Sequence, residues 1–196
     1  MLKDDFFKDI NYNRLRPEGG RVLISEPFLY DPFFKRTVVF LVEFDEEGAL
    51  GFILNKPLKV LIHDIVEEFP YFQADVHFGG PVAEESLFYL HTIGEKLEGS
   101  KEVMPGLWWG SDFDQLKSMI NTRQITPNDV RFFVGYSGWG EEQLATELEE
   151  QSWIVAETDA KQVMTGADEE FWAEKLKSMG SKFAIIANFP EDPSLN

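Results

Sequence analysis

Strand-like runs of apolar residues, separated by turn residues, characterise the first part of the chain. Residues 36–44 form a β-branched and aromatic run, which favours a central strand. Residues 45–48 have the composition of a hairpin turn, because Gly48 adopts positive φ without steric cost. Residues 49–54 supply a returning strand. The pattern therefore predicts a β-hairpin over residues 36–54.

Apolar side chains spaced three or four residues apart predict helices farther along the chain. The spacing occurs, with polar residues on the opposite face, in residues 60–69, 112–121, 141–151 and 169–179. Further strands are predicted at residues 21–25, 76–78, 87–92, 130–136 and 153–157. Short hairpins mixed with short helices, without regular βαβ spacing, favour an α+β fold over a doubly wound parallel sheet.

The length of 196 residues fits one domain. Folding at this size buries roughly 70% of the surface of the unfolded chain, which is enough for a core without disulfides or metals. Residues 17–20, which hold one proline and two glycines, indicate a linker. We therefore expect residues 1–19 to form an N-terminal arm, with a short helix at residues 4–16, and residues 20–196 to form a single domain.

Composition and charge narrow the classes of function. The chain has no cysteine, which excludes disulfides, thiolate metal ligands and cysteine nucleophiles. The net charge is −17, with −1 in residues 1–60 and −16 in residues 61–196. A field of this sign repels phosphate polymers, so direct nucleic-acid binding is disfavoured and a basic protein partner is favoured. The alternative is a local basic cluster on one face, formed by five cations between residues 14 and 36.

The N-terminal segment and the longest apolar runs bear on location. The first ten residues mix five charged residues with apolar ones, unlike a secretory signal. No apolar run approaches the about 18 residues that cross a bilayer. We expect a cytoplasmic protein with no membrane segment.

Four ordered motifs resemble those of the AlgH/YqgE family. They are ISEPFLYDPFFKRTVV at residues 24–39, GALGFILNKP at 48–57, FGGPV at 78–82, and residues 131–144, which include GYSGW. The resemblance covers most of residues 20–190. It implies a bifurcated, mostly antiparallel β-sheet that forms a pseudo-barrel with peripheral helices. It implies no established enzyme activity and no cofactor, although some members of the family are labelled transcriptional regulators.

Two glycine-rich motifs offer a candidate site for a small ligand. Gly79 and Gly80 follow one predicted strand, and the sequence Gly-Tyr-Ser-Gly-Trp at residues 135–139 follows another. Glycine there allows positive φ and brings backbone N–H groups close to an anion. The structural alternative is that both motifs are tight turns, since the phosphate-loop pattern is absent. The candidate residues in these motifs are Gly79, Gly80, Tyr136, Ser137, Gly138 and Trp139.

Polar residues at strand ends offer a second arrangement. Arg36 and Asn55 flank apolar runs, and with His91 and Tyr136 they are candidates for the mouth of a pocket. Alternatively, Arg36 pairs with a nearby carboxylate and Asn55 caps a turn.

Motifs for a serine nucleophile and for a metal are incomplete. Ser137 departs from the Gly-x-Ser-x-Gly elbow at the last position, and if it were a nucleophile, His91 would be its base. The three histidines lack ligand spacing, so no metal is predicted. Trp108 and Trp109 cannot both point inward from a strand, so we expect one of them to face a ligand, a partner or another subunit.

Three interpretations remain open. The first is a non-catalytic binding or regulatory module, which holds a basic protein partner or a small ligand on an aromatic and glycine-lined surface. The second is a small-molecule enzyme that uses Arg36, Asn55, His91 and Tyr136. The third is a transcriptional regulator that acts indirectly. A cavity around a perturbed His91 would favour the enzyme, and a flat, exposed tryptophan patch would favour the module.

Overall fold

The computed structural model describes residues 15–110 and 112–189. The helix predicted at residues 4–16 lies outside the described residues except for its last two positions, and the division between arm and domain stays a prediction. The described strands are β1 (Val22–Ser25), β2 (Val38–Asp45), β3 (Gly48–Ile53), β4 (Pro57–Leu61), β5 (Asp75–Phe78), β6 (Val82–His91), β7 (Lys101–Met104), β8 (Leu107–Trp109), β9 (Val130–Gly140) and β10 (Trp153–Ala156). The described α-helices are α1 (Ile62–Ile65), α2 (Phe113–Asn121), α3 (Gln143–Glu149), α4 (Ala160–Thr165), α5 (Glu170–Ser178) and α6 (Ser181–Ala187).

The sheet divides at β9, its longest strand. On one edge of β9, the first half pairs in parallel with β5 and the second half pairs antiparallel with β3. On the other edge β9 pairs with β6. The main path of the sheet runs β10-β1-β2-β3-β9-β6-β8-β7, and β4 joins through β5. Every pair of described strands except β5–β9 is antiparallel. The predicted α+β fold with a bifurcated, mostly antiparallel sheet is therefore confirmed.

The chain crosses over β9 at the point where the sheet divides. β5 ends at one edge of β9 and β6 begins at the other, so residues 79–81 pass across the strand. A Cβ atom on Gly79 would lie 2.2 Å from the carbonyl oxygen of Gly135, and one on Gly80 would lie 2.3 Å from that of Tyr136. Only glycine therefore fits this crossing of two backbones.

Apolar side chains fill both faces of the sheet. Helices α4 to α6 cover one face, where Trp172 of α5 and Phe40 of β2 are buried. Helices α1 and α2 cover part of the other face, with Leu116 against Phe132 of β9. Helix α3 closes a third cluster. None of the helices in the described ranges has the length and apolarity needed to span a bilayer.

Most local predictions are confirmed, and one helix is wrong. The hairpin at residues 36–54 forms as β2 and β3, joined by a two-residue turn at Glu46 and Glu47. Of the helix predicted at residues 60–69, only the single turn α1 forms, because Leu61 belongs to β4 and pairs with Asp75 of β5. This pairing between strands outweighs the local helical spacing. Helices α4 and α6 and strands β4, β7 and β8 have no counterpart among the predicted elements.

Candidate functional site

An open groove of about 550 Å³ lies between the β2–β3 hairpin and the second half of β9. One side carries three carboxylates of the hairpin, those of Glu43, Asp45 and Glu47. The other side is formed in part by Val82, Tyr136, Gly138 and Trp139. Three predicted site residues, Tyr136, Gly138 and Trp139, therefore line the same groove.

The alternation of side chains along β9 positions Tyr136 in this groove. Tyr136 and Gly138 point to the same face of the strand, and Trp139 points to the opposite face. A Cβ atom on Gly138 would lie 3.0 Å from Cε2 of Tyr136, so the phenol ring lies against a position that has no side chain. The rings of Tyr136 and Phe88 form a T-shaped pair, with 5.6 Å between the ring centroids. Tyr136 is therefore held in place while part of its ring stays open to the groove.

The carboxylate side of the groove is only partly neutralised. Nζ of Lys101 donates to Oε1 of Glu43 at 2.7 Å, and both side chains are more than a third exposed. Oδ1 of Asp45 accepts a hydrogen bond from the backbone N–H of Glu47 at 2.9 Å, which closes the hairpin turn. The side chain of Glu47 is exposed and makes no ion pair with a described residue. The groove therefore has a negative edge.

Trp139 belongs mainly to the core rather than to the open surface. The indole N–H groups of Trp139 and Trp153 both donate to Oε2 of Glu147, at 2.8 and 2.7 Å. The side-chain amide of Gln143 donates to the other carboxylate oxygen at 2.9 Å. Trp139 is 5% exposed, so this network anchors α3 to the sheet. Trp139 and Trp153 therefore do not form a flat, exposed patch.

Asn55 and Arg36 lie near the start of β2, and their side chains bind other groups of the protein. Oδ1 of Asn55 accepts from the backbone N–H of Val38, and its Nδ2 donates to the carbonyl of Arg36, both at 2.9 Å. The guanidinium of Arg36 lies 4.9 Å from the ring centroid of Trp172 and donates to the carbonyl of Phe189. Both side chains thus make contacts within the fold, and neither lines the groove.

The remaining glycine-motif residues meet at the crossing of the two backbones. The hydroxyl of Ser137 is buried and donates to the carbonyl of Gly79 at 3.0 Å. The backbone N–H of Gly79 donates to the carbonyl of Val134 at 2.8 Å. Gly80 packs against the backbone of Tyr136. The close approach that these glycines permit is therefore made to protein backbone.

His91 lies far from Ser137 and Tyr136. Its pairing with Val130 places it seven residues along β9 from Ser137, which at about 3.3 Å per residue is a separation of roughly 20 Å. Nδ1 of His91 accepts from the backbone N–H of Ile93, and Nε2 lies 3.0 Å from Oγ of Ser100. Burial lowers the pKa of His91 to about 4, so the ring is neutral at pH 7. The structure does not bring His91 together with Tyr136.

The other two histidines are also separate from the groove. Burial, with a smaller contribution from the charge of Arg131, lowers the pKa of His77 to about 3. Nδ1 of His63 hydrogen-bonds the carbonyl of Phe72 at 2.7 Å. Among residues 15–110 and 112–189, no group of three or more acidic or histidine side chains is placed to hold a metal ion.

Arg131 is a buried cation that the sequence analysis missed. It is 3% exposed, and its guanidinium donates to the carbonyls of Leu54, Val163 and Gly166. Two of these carbonyls lie at the C-terminal end of α4, where a positive charge is favourable. Burial lowers the pKa of Arg131 to about 9. A charge inside the apolar run of residues 130–134 was the signal that could have revealed it.

The sequence of this chain matches a family model and related proteins over most of its length. A model of the AlgH-like family matches residues 22–184. A UPF0301 protein of Chlorobium limicola is 40% identical over 185 residues, which cover 94% of this chain and 98% of the relative. A UPF0301 protein of Bacteroides thetaiotaomicron is 40% identical over 196 residues, which cover 100% of this chain and 99% of the relative.

Two solved structures share the fold. The solution structure of the AlgH protein from Pseudomonas aeruginosa matches with a TM-score of 0.71 and 26% identity, over 88% of this chain and 94% of AlgH. The crystal structure of a Corynebacterium diphtheriae protein matches with a TM-score of 0.76 over 96% of this chain and 100% of that protein. At 20% identity, the second match shows the fold alone.

Proposed function

The chain belongs to the AlgH-like family, and we propose that it is a non-catalytic binding module that holds a basic segment of a partner protein in the groove between the β2–β3 hairpin and β9. The observation that carries this proposal is that three carboxylates of the hairpin and the phenol of Tyr136 line the same open groove. A regulatory role would then be indirect, through the protein partner.

The charge of the molecule favours a basic partner. The net charge of −17 attracts cations over the range of the Debye length, about 8 Å at physiological ionic strength. Glu47 has no cation of the described chain beside it, and Glu43 is paired with a single exposed lysine. An incoming lysine or arginine therefore meets a carboxylate that is not already neutralised.

The aromatic side of the groove suits the same ligand. A lysine or arginine side chain binds the face of an aromatic ring within about 6 Å, with about 0.5–1 kcal/mol at an exposed site. The ring of Tyr136 lies over Gly138, which has no side chain, and Tyr136 also lines the groove that the basic segment would enter. Val82, which is 37% exposed, offers an apolar contact next to it.

The separation of the polar candidates supports a non-catalytic role. Arg36 and Asn55 bond to the protein's own backbone, and His91 lies at the far end of β9. General acid–base or nucleophilic catalysis needs its groups within hydrogen-bond reach of one reacting centre. The predicted site residues form no such cluster around Tyr136.

Binding of a labelled basic peptide tests the proposal. We expect a lysine- and arginine-rich peptide to bind more tightly than an acidic peptide of equal length, and its affinity to fall as salt rises. The double substitution Glu43→Lys, Glu47→Lys should weaken binding at least about tenfold, since it reverses both charges that face the ligand.

A charge-matched control separates the groove from the overall field. The double substitution Glu169→Lys, Glu174→Lys changes the net charge by the same amount at exposed positions at and next to helix α5. It should weaken binding less than about threefold. If the two double variants lose equal affinity, the groove has no special role and the proposal fails.

A further inference from the structure

The ion pair between Lys101 and Glu43 places a cation of the chain itself at the rim of the acidic groove. Nζ of Lys101 lies 2.7 Å from Oε1 of Glu43, and Glu43 lines the groove whereas Lys101 does not. The side chain of Lys101 is 63% exposed and that of Glu43 is 37% exposed. A basic segment that enters the groove therefore meets one carboxylate that already has an ammonium partner.

The packing of the strands, rather than the local sequence, brings this lysine to the groove. Lys101 and Glu43 lie 58 residues apart in the chain, on strands β7 and β2. The backbone N–H of Gly20 donates to the carbonyl of Leu41 in β2 at 2.8 Å. A Cβ atom on Gly20 would lie 3.3 Å from the carbonyl oxygen of Val103 in β7. Gly20 thus lies close to both strands, and the position of Lys101 beside Glu43 follows from the fold.

Binding of a partner at Glu43 is an exchange of one ion pair for another. A cation of the partner pairs with Glu43 only after Lys101 has left it, so the number of ion pairs at this carboxylate does not change. Glu47 differs, because its exposed side chain makes no ion pair with a described residue. Glu47 therefore attracts a basic segment in full, whereas Glu43 does so only when Lys101 has lost its charge.

We propose that Lys101 is an internal competitor for the acidic groove, and that loss of its charge raises the affinity of the groove for a basic segment. This inference rests on the proposed function, since it concerns the regulation of the same groove. An exposed ion pair contributes a factor of about five at most, so a partner can reverse the competition. Lys101 is thus a position at which the affinity is adjusted without a change of fold.

The variant Lys101→Gln tests the competition, because it removes the charge and keeps a side chain of similar length. We expect the labelled basic peptide to bind this variant about three- to fivefold more tightly than the unmodified protein at physiological salt. The affinity of the variant should also fall more steeply as salt rises, because an ion pair with Glu43 now forms without another being broken. Lys101→Arg, which retains a cation, should bind the peptide no more tightly than the unmodified protein.

Lys117→Gln is the matched control for the change in net charge. Lys117 pairs with Asp114 of helix α2 at the same distance of 2.7 Å, and neither residue lines the groove. The two glutamine variants have the same net charge, and each loses one exposed ion pair. Since exposed charges are screened beyond about 8 Å at physiological ionic strength, Lys117→Gln should gain less than about twofold in affinity for the peptide.

Three results would overturn the inference. Equal affinities of Lys101→Gln and Lys117→Gln would mean that only the overall charge matters. A gain in Lys101→Arg as large as that in Lys101→Gln would show that the charge at this position is not the cause. Failure of the peptide to bind either the unmodified protein or Lys101→Gln would overturn the proposed function as well, whereas the first two results leave the proposed function standing.

Discussion

The substitution Gly80→Ala tests the crossing of the two backbones most directly. The new Cβ atom would lie 2.3 Å from the carbonyl oxygen of Tyr136 and 2.4 Å from the backbone nitrogen of Ser137. Both neighbours are backbone atoms in the middle of a sheet, so they cannot rotate away as a flexible side chain would. The backbone must separate by about 1 Å before an ordinary van der Waals contact is restored.

Two contributions determine the expected loss of stability. Gly80 has a φ of +149°, a conformation that costs an L-residue about 1–3 kcal/mol. Forcing a methyl group into a packed site costs about 1–3 kcal/mol more. We therefore expect Gly80→Ala to lower the free energy of unfolding by about 2–6 kcal/mol, which for a domain of this size lowers Tm by roughly 5–20 °C.

Gly140→Ala is the matched control for this measurement. Gly140 is the last residue of β9, and a Cβ atom there would have no heavy atom within 4 Å. Urea and thermal unfolding of both variants, followed by tryptophan fluorescence and circular dichroism, should leave Gly140→Ala within about 0.5 kcal/mol of the unmodified protein. Free energies extrapolated to zero urea carry an error of about 10–15%. If Gly80→Ala nevertheless lies within about 1 kcal/mol of the Gly140→Ala control, the crossing has room for a methyl group and the reasoning is refuted.

Two further predictions concern buried polar groups. Glu147→Ala removes the acceptor shared by the indoles of Trp139 and Trp153. We expect it to lower the free energy of unfolding in urea by about 2–4 kcal/mol. The control Glu149→Ala, at an exposed position of the same helix, should lower it by less than about 0.5 kcal/mol. In the folded protein the pKa of His77 is lowered from an ordinary value of 6.5 to about 3. Below about pH 6.5 the unfolded chain therefore binds more protons at this histidine than the folded protein does. His77 thus makes the folded protein lose stability as the pH falls from about 7 towards 4. His77→Phe should reduce that loss in urea titrations across the range, and an unchanged pH dependence would contradict the burial argument.

Local signals in the sequence account for the elements that were predicted correctly. The β2–β3 hairpin has its turn chemistry within four residues, and the apolar run that begins at Val130 is recognisable on its own. Strand β4 was missed, and the helix at residues 60–69 was predicted too long, because β4 pairs with β5, more than ten residues away in sequence. Spacing within residues 60–69 carries no information about that partner.

The candidate site was predicted in part, for a similar reason. Tyr136, Gly138 and Trp139 are neighbours in the chain, so they were predicted together, but their motif was expected to follow a strand, whereas it lies within β9. From the sequence, Glu43 and Glu47 are recognisable only as residues of the hairpin, because no local signal indicates that β3 pairs with the second half of β9. The register of β6 on β9 likewise decides how far His91 lies from Tyr136. Sequence reasoning identifies residue types, and strand pairing decides which of them meet.

The division of the sheet and the acidic groove depend on the same few residues. Gly135, at φ +68°, allows residues 79–81 to cross β9, and the crossing ends the pairing of β9 with β5. The next residue of β9, Tyr136, is therefore past the division, where β3 replaces β5 as the neighbouring strand. Pairing with β3 brings the hairpin carboxylates alongside the phenol ring. A substitution at the crossing thus acts on the groove through the fold, whereas Glu43→Lys with Glu47→Lys reverses charge at its rim and breaks only the exposed pair of Glu43 with Lys101.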